Sequence, residues 1–172
     1  MMLTFKKTIL LLGMMASAAG VHAGSPDGLN IAVIAGETAS QYTSMVKQFV
    51  ADHEAHRIQC GEYALRLENV YTTKLPRQLT SELALGAARD KTKRKKLSKI
   101  LTGFRDSTLD RGFDGALTYE IKDGQLRLYG ISALNDVQVV VSNLSVNDAR
   151  DQKKFDIAAC KALASLPNTT PP

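Results

Sequence analysis

Two histidines, three aspartates and a run of lysines are the side chains whose spacing could do chemistry in this sequence. His53 and His56 enclose Glu54 and Ala55. Three positions apart on a helix, two imidazoles share a side and could hold a metal between them. The spacing is not that of HExxH, and no third ligand is specified. Both histidines also extend the apolar stripe of Tyr42, Val46 and Phe49. The plainer reading places them at the edge of the core with their polar atoms satisfied. Asp106, Asp110 and Asp114 recur every four residues. That spacing gathers carboxylates on a helix, for acid–base work or a hard cation. Gly112 argues against a helix that reaches Asp114, and the segment is polar enough to be a loop. A small hydrolase would have to be built from His53 and His56 or from these three aspartates. Gly36-Glu37-Thr38 lacks the glycines and lysine of a phosphate loop. Ser40, Ser44 and Ser81 have no motif around them. No catalytic residue, metal or cofactor is expected.

The basic run is the most unusual feature. Residues 89–99 carry seven positive charges and one negative. The net charge of +5 falls to +3 without Lys6 and Lys7, so the rest of the chain is slightly acidic and the basicity is local. On a helical wheel Arg89, Lys91, Lys93, Arg94, Lys95, Lys96 and Lys99 point in nearly every direction. That predicts a solvated, projecting helix segment rather than a groove-reading helix. It would still suit an acidic partner, a phosphate-rich polysaccharide, anionic lipid headgroups or nucleic acid, with salt-dependent attraction. Aromatic interleaving is absent, so stacking on single strands is not indicated. The expected binding residues are Lys91, Lys93, Arg94, Lys95, Lys96 and Lys99, with Asp106 in the loop that follows.

Cys60 and Cys160 are the only cysteines, and neither sits in a CxxC. Their compartment follows from the first residues. Lys6 and Lys7 precede a short apolar stretch, Ile9 to Met15, and Val21-His22-Ala23 is a small-x-small cleavage site. This is the layout of a secretory signal peptide, residues 1–23, cut before Gly24. The apolar stretch is too short to span a bilayer well, and no cysteine follows it to take a lipid. The expectation is a periplasmic or secreted protein with no membrane segment after cleavage. Two cysteines in an exported chain are expected to pair.

The elements that must position these residues read as follows. Residues 31–36, IAVIAG, form a short strand or the lead into a helix. Glu37 to about Arg57 is helical, with Tyr42, Met45, Val46, Phe49 and Val50 on one face. Residues 63–71 alternate as a half-buried strand. Pro76 opens a helix running to about Phe104. Leu79, Leu83, Leu97, Leu101 and Phe104 form its face. Asp90 and Arg94 interrupt that face, so the helix either breaks near Gly86–Lys91 or leaves the core there. Residues 116–131 are a β-hairpin with an Asp123-Gly124 turn. Its inward face is Leu117, Tyr119, Ile121, Leu126 and Leu128. Residues 137–141 add a strand. A last helix, Asp148 to Leu166, turns Phe155, Ala159, Ala162 and Leu166 inward. Ile157 and Cys160 lie on its other side, which is expected to be covered as well. Residues 167–172 are a disordered tail.

The expected fold is α+β: an antiparallel sheet of three to five strands packed against two to four helices, with one disulfide, over residues 24–166. The expected function is that of a non-catalytic protein that binds another envelope or secreted protein, as an accessory, inhibitor or immunity-like factor. The alternative is a binder of an anionic polymer or membrane surface through residues 89–99, and a further alternative is a small hydrolase using His53 and His56 or Asp106, Asp110 and Asp114.

Overall fold

The computed structural model describes residues 29–34, 41–61, 65–69, 78–103, 112–132, 139–164 and 166. The signal segment, the C-terminal tail, Pro76, Asp106 and Asp110 lie outside the described residues. The strands are β1 (Leu29–Ile34), β2 (Leu65–Asn69), β3 (Gly115–Lys122), β4 (Gln125–Ser132) and β5 (Val139–Ser145). The helices are α1 (Thr43–Glu54), α2 (Ser81–Ala87), α3 (Lys91–Gly103) and α4 (Gln152–Ala164). The strands form one sheet in the order β2-β1-β3-β4-β5. The fold is α+β, and the sheet is mixed. β1 runs parallel to both neighbours, whereas β3, β4 and β5 pair antiparallel.

β1 explains the architecture. Its apolar run is buried on both sides, so it sits inside the sheet. Ile31 and Val33 enter one core, and Ala32 and Ile34 enter the other. The first core lies under α1 and α4. Val46, Phe49 and Val50 come from α1, and Phe155, Ala159, Ala162 and Leu163 from α4; they meet Leu65, Leu67, Leu117, Tyr119, Leu126 and Leu128 of the sheet. The second core lies under α2 and α3. Ala84, Ala87, Leu97 and Leu101 meet Ala116, Tyr129 and Ile131 there. The crossover from β1 to β2 and the one from β2 back to β3 move in opposite directions along the sheet. Right-handed crossovers therefore require their helices on opposite faces, and the two cores show that arrangement.

Local chemistry sets the boundaries. The hairpin closes through Asp123 and Gly124, whose φ angles of 53° and 70° are those of a type I′ turn. All the leucines and tyrosines expected inward on the hairpin are buried, and Ile121 is half-buried. The helix expected from Pro76 starts later, at Ser81. Thr80 is extended, and its hydroxyl accepts the Leu83 amide at 3.1 Å, which fixes the N-terminus there. The expected break is present. α2 ends at Ala87, and Asp90 starts a new helix by accepting the Lys93 amide at 2.9 Å. α4 is likewise begun by Asp151, which accepts the Lys154 amide. Ile157 departs from expectation: it is 62% exposed on the outer side of α4, where no layer of the described residues lies beyond that helix.

Cys60 and Cys160 form a disulfide, with Cα atoms 4.7 Å apart and a sequence separation of 100. It ties the segment after α1 to the last turns of α4. In the chain-entropy picture, closing such a loop stabilises by about 4–5 kcal/mol.

Candidate functional site

α3 is where the sequence places most of its uncompensated charge, and the structure gives that charge a shape. The helix lies on the sheet through Leu97 and Leu101, both fully buried. Taking about 100° per residue, Lys91, Lys95, Lys96 and Lys99 fall within an arc of about 140° opposite that buried stripe. All four are exposed. Lys93 and Arg94 flank the stripe on either side, and Arg94 is half-buried. The expectation of charge in every direction is therefore corrected. α3 does not project; it is anchored, and its lysines form one outward row about 12 Å long from Lys91 to Lys99.

Asp90, which caps the helix, is the one carboxylate set against this charge at its N-terminus, and it acts on Lys93 and Arg94. There is no acidic residue in its first turn and no basic residue in its last. Its positive charges thus crowd toward the end where the macrodipole is already positive. Lys91, Lys95 and Lys99 repeat at i, i+4, a spacing at which like charges repel. Among the described residues none of Lys91, Lys93, Lys95, Lys96 and Lys99 takes part in an ion pair.

What does hold the layer in place is a contact the sequence reading missed. Arg89, in the turn between α2 and α3, donates to Glu120 of β3, and the Tyr129 hydroxyl of β4 donates to the same carboxylate oxygen at 2.6 Å. Burial pushes the Glu120 carboxyl up. The hydrogen bonds from Tyr129 and Arg89 and the charges of Arg89 and Lys122 outweigh it and hold the group below its usual range. Tyr129 is pushed up, by burial and by its bond to Glu120. Arg89 is thus spent on anchoring rather than offered outward. A cue was present in the sequence: Glu120 shares a strand face with Ala116 and Thr118, and a carboxylate on a mostly buried face needs a partner. Gly86 adds a second fixing point. A Cβ there would lie 2.6 Å from Cδ of Lys93, so the Lys93 stem runs directly over the glycine.

The histidines do not form a pair. α1 ends at Glu54, and His56 adopts φ 56°. The Arg57 amide then closes back onto the Asp52 carbonyl at 2.8 Å. This turn carries His56 into solvent while His53 stays buried, its ring centre 6.4 Å from that of Phe49. Burial and the nearby His56 lower the His53 pKa, partly offset by Glu54. Asp114 holds the chain rather than a ligand. It accepts the Asn30 amide at 2.8 Å, and its own amide donates to the Asn30 carbonyl at 2.8 Å. Among the described residues no three His, Cys, Asp or Glu side chains converge as a metal site would require. Among them also, no helix is long and apolar enough to cross a membrane.

Comparison with protein-family models, curated proteins and solved structures finds no match to this chain.

Proposed function

We propose that this chain is an exported, non-catalytic binding protein. It acts on another protein of the envelope or medium, in an accessory, inhibitory or immunity-like role, and meets an acidic surface of that partner through the outer face of α3. The observation that carries this reading is the lysine row. Repelling neighbours and an adverse macrodipole each cost a few tenths of a kcal/mol, so the row is not there for the stability of the helix. A negatively charged partner relieves both. The anchored layer beneath presents the lysines in fixed register, which lowers the cost of ordering them on contact. Export rests on the lysine-led apolar segment with its Val21-His22-Ala23 site, and the disulfide supports it.

A second reading is favoured by the composition of the row. It holds lysines and no outward arginine fork or aromatic ring, which suits phosphate as a point charge rather than a shaped carboxylate site. A polyanion or anionic lipid surface would fit that chemistry.

The test is recovery of partners by the mature chain at low and high salt, alongside the Lys95→Glu/Lys99→Glu variant. The proposal expects one stoichiometric protein. The variant should retain it at least about tenfold less at low salt, with an unchanged circular dichroism spectrum. Equal retention by the variant would remove α3 as the contact. Recovery of only nucleic acid, lipid or polysaccharide, released by salt, would put the second reading in its place.

A further inference from the structure

The two edges of the sheet are finished differently. β2 at one end carries Arg66 and Glu68. β5 at the other end, Val-Val-Val-Ser-Asn-Leu-Ser, carries no charge at all. Charged residues on an edge strand keep other strands from joining it. One edge has that guard and the other lacks it.

The hairpin register shows what β5 offers. A two-residue turn makes Lys122 and Gln125 a hydrogen-bonded pair, and such pairs alternate along β3 and β4. Leu126, Leu128 and Gly130 therefore turn their backbone groups toward β5, where they meet Leu144, Ser142 and Val140. It follows that Val139, Val141, Asn143 and Ser145 aim their N–H and C=O groups outward. Their side chains share the sheet face of Tyr129 and Ile131. On that face Val139 packs at the margin of the second core, whereas Val141 is left 45% exposed. Among the described residues no strand other than β4 pairs with β5.

We infer that the β5 edge docks a second copy of this chain. Two β5 strands pair antiparallel about a two-fold axis at Ser142. Val141 then exchanges hydrogen bonds with Asn143 of the partner copy, and Val139 exchanges them with Ser145 of the partner copy. This centre keeps all seven residues paired, and by the alternation rule gives about eight new backbone bonds. The uncharged sequence makes self-pairing about a two-fold free of like-charge contacts. The two Val141 side chains become diagonal neighbours, about 7–8 Å apart and within reach of joint burial. The axis runs perpendicular to the sheet, so both α2–α3 layers, and both lysine rows, come to lie on the same side. The inference stands without the partner-binding proposal, and no lysine takes part in it.

The experiment is the mass of the mature full chain by light scattering over a wide concentration range, with amide exchange of β5 measured in parallel. Wild type should rise from one to two chain masses as it is concentrated. The amides of Val139, Val141, Asn143 and Ser145 should slow together over the same range. Asn143→Pro removes an outward N–H and leaves the bonds to β4 intact; Val141→Lys restores the missing guard. Both should stay at one chain mass, with the thermal unfolding of wild type at its most dilute. A wild-type mass of one chain throughout, with those four amides exchanging fast, would overturn the inference by showing an open and unused edge. The same mass with the four amides slow would overturn it too, because the occupant would then be part of the same chain.

Discussion

Gly130→Ala should be among the most damaging single-methyl additions in this protein, and the size of the effect follows from where the methyl would go. Gly130 lies on β4 under α4. A Cβ built there falls 2.8 Å from the carbonyl carbon of Ala162 and closer still to its oxygen. Ordinary carbon contacts begin near 3.5 Å, and these are helix backbone atoms that cannot swing aside. Relief requires α4 to lift by roughly 1 Å. A gap of that size forfeits a quarter to a half of each dispersion contact it opens, and Phe155, Ala159 and Leu163, all fully buried, line the seam. Overpacking of this kind costs about 1–3 kcal/mol, and the upper half of that range fits a backbone clash. The stiffer unfolded chain returns about 0.4–1 kcal/mol. The net loss should be about 2 kcal/mol, or roughly 4–8 °C in Tm for a chain of this size. Urea unfolding followed by circular dichroism reads this directly, with an unchanged m value. Gly103→Ala is the control, since a methyl there has no neighbour within 4 Å; it should be neutral or slightly stabilising. Adding Ala162→Gly to Gly130→Ala should not restore stability, because the obstacle is the carbonyl and not the methyl. A Gly130→Ala midpoint matching wild type, or full rescue by Ala162→Gly, would refute the proposed seat of α4.

Reducing the disulfide, or replacing Cys60 and Cys160 with alanine, should cost up to about 4–5 kcal/mol in urea unfolding; a loss under about 1 kcal/mol would mean that the unfolded chain is already constrained across that loop. Stability should also fall on acidification below neutral. The folded pKa of His53 lies below its unfolded value of 6.5, so its contribution is present above 6.5 and disappears as pH drops through the lowered value. His53→Gln should flatten the fall of the urea midpoint as pH drops below 6.5, and parallel slopes for wild type and variant would count against it. Glu120, also lowered, acts in the same direction at more acidic pH, and Asp156, raised by burial, acts against both.

The sequence made local structure legible where a single signal was strong. Asp123-Gly124 between alternating segments defines a hairpin, because few other arrangements accept two positive φ angles in a row. The inward face of α4 is equally plain, since Phe155, Ala159 and Ala162 keep a helical period and are buried; Leu166, expected on the same face, is buried just beyond the helix end. Strand direction was not legible. Residues 31–34 are apolar throughout, as a strand covered on both faces must be, and such a run carries no mark of parallel or antiparallel neighbours. The lysine row was hidden for a different reason. One wheel through all seven cations shows no face, because Arg89 lies in a turn and is held by Glu120, and Lys93 and Arg94 flank the buried stripe. Only with those three set aside do the other four align. Separating His53 from His56 required knowing that the helix stops at Glu54, and no glycine or proline marks that stop.

The disulfide has one more consequence. Everything from β2 to the middle of α4 lies within the covalent ring that Cys60 and Cys160 close. A protease that cuts the chain once anywhere inside that ring opens it without releasing a fragment. The two pieces would still share β1 between β2 and β3, and would part only when the bond is reduced. A nicked molecule would run as an intact chain on a non-reducing gel and as two bands on a reducing one, so the first sign of attack by proteases would be a new chain end rather than a loss of mass.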